Sequence, residues 1–245
     1  MANFRRIGIL SSGGDAPGMN AAIRAATRRA LSQGLEVVGI LGGYSGLLQA
    51  ADESDPEIIR QRYLRPFDSS SVSNIVTRGG TILYSSRCPE FATPEGMNKA
   101  LRACEKHHID AVIAIGGDGT FRGATDLTNH GIPSIGIPAT IDNDISATEQ
   151  TIGFDTALNT ALTMFDALRD TAESHARCIV TEVMGNGCGF LSLYLALATG
   201  AISVAIPEIT FDREYAIKKI REAREECNKR GIIAICGEGM PKMNG

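Results

Sequence analysis

The stretch Ile7-Gly8-Ile9-Leu10-Ser11-Ser12-Gly13-Gly14-Asp15-Ala16-Pro17-Gly18-Met19-Asn20-Ala21-Ala22-Ile23-Arg24 decides the fold. An apolar, β-branched run ends in two glycines and a helical pattern follows from Met19 to Gln33. The turn between them sets backbone N–H groups at the positive end of a helix, where a phosphate can approach. Working outward, strand patterns recur at Glu36 to Leu41, Ala111 to Ile115 and Ser134 to Ile137, with a helical pattern at Phe121 to Asn129. Strands alternating with helices read as βαβ units of a parallel sheet covered on both faces.

Past Pro138, where the strand is expected to end, the alternation renews. A long helix, Thr156 to Thr171, leads to strand Cys178 to Val183, helix Gly189 to Ala198, strand Ser203 to Ile206, helix Arg213 to Lys229 and strand Ile232 to Ile235. The expected architecture is two three-layer α/β lobes with largely parallel sheets, residues 1–150 and 151–245, meeting near Thr140 to Gly153. Residues 52–74 are polar and contain Pro56 and Pro66, so they read as a helical excursion or loop over the sheet.

With 245 residues, 43% of them hydrophobic, the chain can bury an ordinary core. Its formal charge of -4, with no run of Lys and Arg longer than two, gives no footprint for nucleic acid or an anionic membrane. Met1 to Arg6 is charged with no apolar stretch behind it, and the apolar runs are strand-sized, so neither leader nor membrane span is expected and the cytoplasm is the expected compartment. Cys88, Cys104, Cys178, Cys188, Cys227 and Cys236 lack metal-type spacing and suit reduced thiols.

Three constellations carry chemistry. The first is Ser11-Ser12-Gly13-Gly14-Asp15, whose glycines either admit a phosphate or merely relieve a tight turn. The second is Gly116-Gly117-Asp118-Gly119-Thr120, at the carboxyl end of a strand, where ligands of parallel sheets sit. Its Asp118 is either a helix N-cap or a ligand for the magnesium that accompanies nucleotide phosphates. The third is Pro138-Ala139-Thr140-Ile141-Asp142-Asn143-Asp144. Two carboxylates in a phosphate-binding cleft would repel substrate unless one takes a proton from the attacking hydroxyl and another works with a metal; the alternative is an Asx-turn at Asn143. Neither a Walker pattern nor a dinucleotide G-x-G-x-x-G fingerprint is present.

Gly13-Gly14-Asp15-Ala16-Pro17-Gly18-Met19-Asn20, Gly116-Gly117-Asp118-Gly119-Thr120 and Thr140-Ile141-Asp142-Asn143-Asp144, with Arg78-Gly79-Gly80-Thr81, Arg87-Cys88-Pro89-Glu90-Phe91 and Glu182-Val183-Met184-Gly185, resemble in order and spacing the ATP-dependent 6-phosphofructokinase family, type A, over essentially the whole chain. Lipid and NAD kinases share a Gly-Gly-Asp-Gly-Thr loop but not the other two. The resemblance implies the glycolytic transfer of the γ-phosphate of ATP to the 1-hydroxyl of fructose 6-phosphate, in a homotetramer. It places Asp142 as proton acceptor, Thr140 at the transferring phosphoryl group and Asp118 on Mg2+. Gly14, Arg87, Cys88 and the loop Gly117, Asp118, Gly119, Thr120 fall at nucleotide positions. Thr140, Ile141, Asp142, Arg177, Met184, Gly185, Asn186 and Glu238 fall at substrate positions, Arg177 acting from a neighbouring subunit. Arg24, Arg28 and Arg169 match positions for a phosphorylated effector, while Ile202 replaces an acid that relatives use for the effector's metal.

Departures from the family pattern sharpen the expectation. Pyrophosphate-dependent relatives carry an acid where this chain has Gly119 and a lysine where it has Ala139, so ATP is the expected donor and pyrophosphate the alternative. Asn186 stands where the family has an arginine. Loss of a cation that stabilises the phosphoryl group costs on the order of 2 to 4 kcal/mol, roughly thirtyfold to several-hundredfold in rate, and leaves a noncatalytic sugar-phosphate or nucleotide sensor as a further alternative. His175, at the end of the long helix, reads as a dipole cap rather than a base. The family continues past Glu238 into a loop that grips the sugar 6-phosphate. The resemblance therefore implies a C-terminally truncated chain, with the second lobe and the closing segment of the first incomplete and apolar surface uncovered.

Overall fold

A computed structural model describes residues 4–146 and 148–240. The readings at Met1 to Arg6 and at Gly239 to Gly245 thus lie partly outside the described residues. The chain divides into two compact units, the first closing at Thr140 and the second opening at Ile141. The join falls at the near end of the Thr140 to Gly153 interval, and residues 141–150 go with the second unit.

The first unit runs β1 (Arg6–Ser12), α1 (Met19–Ser32), β2 (Glu36–Ile40), α2 (Gly43–Asp52), α3 (Pro56–Arg62), β3 (Leu64–Phe67), a single 3-10 turn (Pro89–Ala92), α4 (Pro94–Lys106), β4 (Ala111–Gly116), α5 (Asp118–Asn129) and β5 (Ser134–Thr140). Its strands lie in the order β3-β2-β1-β4-β5. β1, β2, β4 and β5 are parallel and β3 is antiparallel to β2. Leu10, Val38, Ile40, Val112 and Ala114 point to one face and cluster with Leu47 of α2, Ala100 of α4 and Leu127 of α5. By strand alternation Ile7, Ile9 and Val37 point to the other, where α1 buries Met19, Ile23, Thr27 and Ala30.

Two expectations are corrected here. The 52–74 stretch contributes a strand as well as a helix: β3 joins the sheet at its edge, where Pro66 needs no ladder partner on its nitrogen. β5 does not stop at the proline but runs through Pro138, which lies opposite Gly116, and ends at Thr140. The strand therefore delivers Thr140 beside the second glycine loop.

The second unit contains a two-residue strand β6 (Ile152–Gly153), then α6 (Phe154–Ser174), β7 (Cys178–Val183), α7 (Phe190–Thr199), β8 (Ser203–Ala205), α8 (Arg213–Glu225) and β9 (Ile232–Gly237). Its sheet is all parallel, ordered β7-β9-β8. Val183, Ile233 and Ile235 pack on one face with Phe154 and Phe165 of α6 and Leu191 and Leu195 of α7.

Helix starts fall into two chemical kinds. Asp55, Thr93 and Asp212 cap α3, α4 and α8 with side-chain acceptors, and Pro follows the first two at the position where no N–H is missed. α1, α2, α5, α6 and α7 instead start from Gly18, Gly42, Gly117, Gly153 and Gly189, with no side-chain cap. Some of their first N–H groups turn back on nearby carbonyls, Met19 on Ala16 O (3.3 Å), Thr120 on Gly117 O (3.0 Å) and Phe154 on Thr151 O (3.3 Å).

Candidate active site

In the first unit the two glycine loops are neighbours because β1 and β4 are paired, Ser12 opposite Gly116. Thr120 Oγ1 donates to Ser12 O at 2.8 Å, fastening one loop to the strand that feeds the other. Tyr44 Oη donates to Thr120 O at 2.7 Å from a buried position; burial first, and the Asp126 charge second, push that phenol's pKa up.

The glycines of these loops do different jobs. Gly13 has φ 86°, a backbone that favours glycine. A β-carbon on Gly116 would lie 2.4 Å from Thr120 Oγ1 and 2.5 Å from Ser12 O, so this glycine serves packing. Gly14 and Gly119 have nothing within 4 Å of where a β-carbon would stand. At those two positions neither turn sterics nor the core requires the missing β-carbon.

Asp118 is the first residue of α5, and Gly117 occupies the cap position without a side-chain bond. The N-cap alternative therefore falls. The Asp118 carboxylate is 54% exposed and paired with Arg122 at 2.5 Å, one turn along the helix. Among the described residues no cluster of three or more His, Cys, Asp or Glu is placed to hold a metal. Magnesium at nucleotide phosphates needs only one or two carboxylates, with phosphate oxygens and water completing the shell, so a lone exposed carboxylate at this loop fits it.

The segment from Arg78 to Ser86 is laced to the first loop by side chains that the sequence motifs did not single out. Asn20 donates from Nδ2 to Arg78 O (2.9 Å) and accepts from Ile82 N–H (2.8 Å). Ser85 Oγ donates to Gly13 O (2.6 Å) and Ser86 Oγ to Gly42 O (2.8 Å). Beyond them Arg87 is exposed and Cys88 half-buried, its thiol pKa raised by burial. The signal for Asn20 was its place on the buried face of α1, where an amide must find backbone partners. A separate concavity of about 600 Å³ lies among Arg6, Glu36, Ile59, Phe67 and His107, at the amino ends of β1 and β2.

In the second unit Ile141, Asp142, Asn143 and Asp144 are half-buried. Asn143, at φ 55°, does not form the local Asx-turn. Its Oδ1 accepts from Thr151 N–H (2.9 Å) and Nδ2 donates to Glu149 O (3.3 Å), so it braces the following loop. Asp144 Oδ1 is buried with no hydrogen-bond partner among the described residues.

Met184 and Asn186 are exposed and Gly185 is buried, where a β-carbon would meet Cys188 O at 2.2 Å. Glu238 Oε2 accepts from Gly185 N–H (3.2 Å) and Asn186 N–H (3.0 Å), bringing these three predicted residues together. Arg177 is exposed just ahead of β7, while His175 closes α6 through its backbone N–H to Thr171 O (3.1 Å). Of the predicted effector residues, Arg24 is half-buried with an unpartnered Nε, Arg28 is exposed, and Arg169 donates to Thr199 O at the end of α7.

Paired glycine loops at the carboxyl ends of adjacent parallel strands are the kind of site at which α/β phosphotransferases work. The chain belongs to the phosphofructokinase family, whose profile matches residues 6–245. It is 48% identical over 237 residues to an ATP-dependent 6-phosphofructokinase of Streptococcus pneumoniae (strain Hungary19A-6), covering 97% of this chain and 67% of that protein. Among solved structures, phosphofructokinase from Saccharomyces cerevisiae superposes with a TM-score of 0.83 at 31% identity, over 96% of this chain and 34% of that one. Pichia pastoris phosphofructokinase in the T-state gives 0.85 at 33%, over 98% and 26%. The chain thus spans about two thirds of the curated relative and about a third and a quarter of the two yeast chains.

Proposed function

We propose that the chain transfers the γ-phosphate of ATP to the 1-hydroxyl of fructose 6-phosphate, giving fructose 1,6-bisphosphate, with the first unit binding nucleotide and the second the sugar phosphate. The observation that carries this reading is the pair of glycine loops at the carboxyl ends of adjacent strands, clear of other atoms at Gly14 and Gly119. Phosphoryl transfer asks for alignment and charge neutralisation rather than covalent help. Backbone N–H groups at Gly14 and along Gly117 to Gly119 would line up the phosphates, with Thr120 fastening the loop beneath them, and Arg87 and Cys88 would flank the nucleotide. Asp118 would hold Mg2+, which when bound neutralises charge on the phosphate oxygens. Thr140 would donate to the transferring group, and Asp142, two residues on, would take the hydroxyl proton as the new bond forms.

Ile141, Arg177, Met184, Gly185, Asn186 and Glu238 would hold the sugar phosphate, Arg177 reaching from a neighbouring copy in a homotetramer. Arg24, Arg28 and Arg169 would bind a phosphorylated effector. The open space at Gly119 supports ATP over pyrophosphate, since a side-chain acid there would crowd and repel the nucleoside side. No helix among the described residues is long and apolar enough to cross a membrane, and we place the activity in the cytoplasm.

The test is a coupled assay of fructose 1,6-bisphosphate formation with ATP and, separately, with pyrophosphate. Turnover on ATP alone is the expected result; turnover on pyrophosphate alone overturns the donor. Asn186, an uncharged side chain at an exposed position, favours one second reading, a noncatalytic sensor. Binding of both ligands without turnover would select it.

A further inference from the structure

Residues 184–189 connect β7 to α7 and carry Met184, Gly185 and Asn186. Their backbone is gripped from two sides by carboxylates. Glu238, beyond β9, takes the N–H groups of Gly185 and Asn186. Glu208, beyond β8, accepts from the Gly189 N–H at 2.7 Å through Oε1. Its other oxygen lies 2.5 Å from where a Gly189 β-carbon would stand. Gly189 is buried and starts α7 with no side-chain cap of its own, so Glu208 supplies the acceptor that the helix start lacks.

We infer that Glu208 is a positioning residue for the sugar phosphate: it does not reach the sugar but fixes the loop that presents Met184, Gly185 and Asn186. This rests on the functional reading above. The loop needs such a hold because Asn186 and Gly187 take consecutive left-handed conformations, φ 51° and φ 80°, which persist only where surrounding bonds impose them. Burial first, and the Glu208 and Asp144 carboxylates after it, raise the pKa of the Cys188 thiol in this loop. The Gly189 N–H bond holds the Glu208 carboxyl ionised, below its ordinary pKa, which strengthens the grip.

The experiment uses the 245-residue chain and its Glu208→Ala and Glu208→Gln variants, with two readouts. Amide hydrogen exchange at Gly185, Asn186 and Gly189 is expected to speed up about tenfold or more in Glu208→Ala and to stay near the parent in Glu208→Gln, whose amide oxygen still accepts. KM for fructose 6-phosphate is expected to rise about tenfold in Glu208→Ala, with kcat and the KM for ATP within about twofold, and the glutamine variant should restore it. Unchanged exchange overturns the inference. So does faster exchange with an unmoved KM for the sugar, or a glutamine variant that behaves like alanine. If the parent chain neither binds nor turns over fructose 6-phosphate, the functional reading falls instead, and the exchange rates alone still uphold or overturn the hold of Glu208 on the loop.

Discussion

Single residues divide by whether their role is carried by the fold or by the ligand. A β-carbon on Gly116 must displace Thr120 Oγ1 or Ser12 O, so Gly116→Ala should destabilise the first unit by about 1 to 3 kcal/mol in urea titrations. Gly14→Ala and Gly119→Ala meet no atom and should leave stability within about 0.5 kcal/mol while weakening ATP binding by about tenfold or more, measured by calorimetry. Asp142→Ser should cost about 100- to 10,000-fold in turnover with ligand affinity nearly intact, as removal of a general base does; unchanged turnover would remove it from that role. Asn186→Arg restores the cation of the family pattern at a backbone with φ 51°. It is expected to raise kcat at a cost of about 1 kcal/mol in stability, read from the same assay and from denaturant midpoints. At this scale the motifs were legible because each needs a particular residue type at a particular spacing. Asn20, Ser85 and Ser86 were not, because their work is to satisfy backbone groups that only the folded chain brings near.

Among the elements, α4 carries a titrating joint. His107 is its C-cap, with Nε2 3.1 Å from Ala50 O at the back of α2, and burial is the main cause holding its pKa below the ordinary 6.5. The unfolded chain therefore takes up this proton first. His107 contributes its full share of stability above pH 6.5 and loses it as pH falls below that value. Urea midpoints should decline more steeply on acidification in the parent chain than in His107→Gln, and parallel curves would discount the joint. The strands and helices of the βαβ run were readable from periodicity, Cys178 to Val183 to the residue. β3 was not, since a four-residue strand with Pro66 at an edge carries no alternation of its own and is defined by β2 beside it. Nor was the inclusion of Pro138 in β5: a proline usually ends a ladder, and here it is itself held in register opposite Gly116, the last residue of β4.

For the molecule as a whole, each unit has its own apolar cluster, yet both sheets leave bulky side chains in water: Ile135 on β5 is 68% exposed and Val180 on β7 is 66% exposed. Exposed β-branched residues on strands invite association. Replacing both with Thr should lower light scattering on concentration without changing the unfolding free energy from urea titration by more than about 0.5 kcal/mol, and equal scattering would exonerate these strands. The two-unit organisation was visible in the sequence as a renewed alternation, whereas how much apolar surface stays uncovered depends on packing that no local pattern encodes. One more property follows from the lacing of the Arg78–Ser86 segment. It is held by Asn20, by serine hydroxyls and by the Leu83 carbonyl on Gly42 N–H rather than by strand pairing. Releasing it would break no sheet ladder but would expose Leu83, which is fully buried, so one side chain anchors the whole segment and Leu83→Ala should speed its proteolysis in the native chain, with equal cleavage rates discounting the anchor.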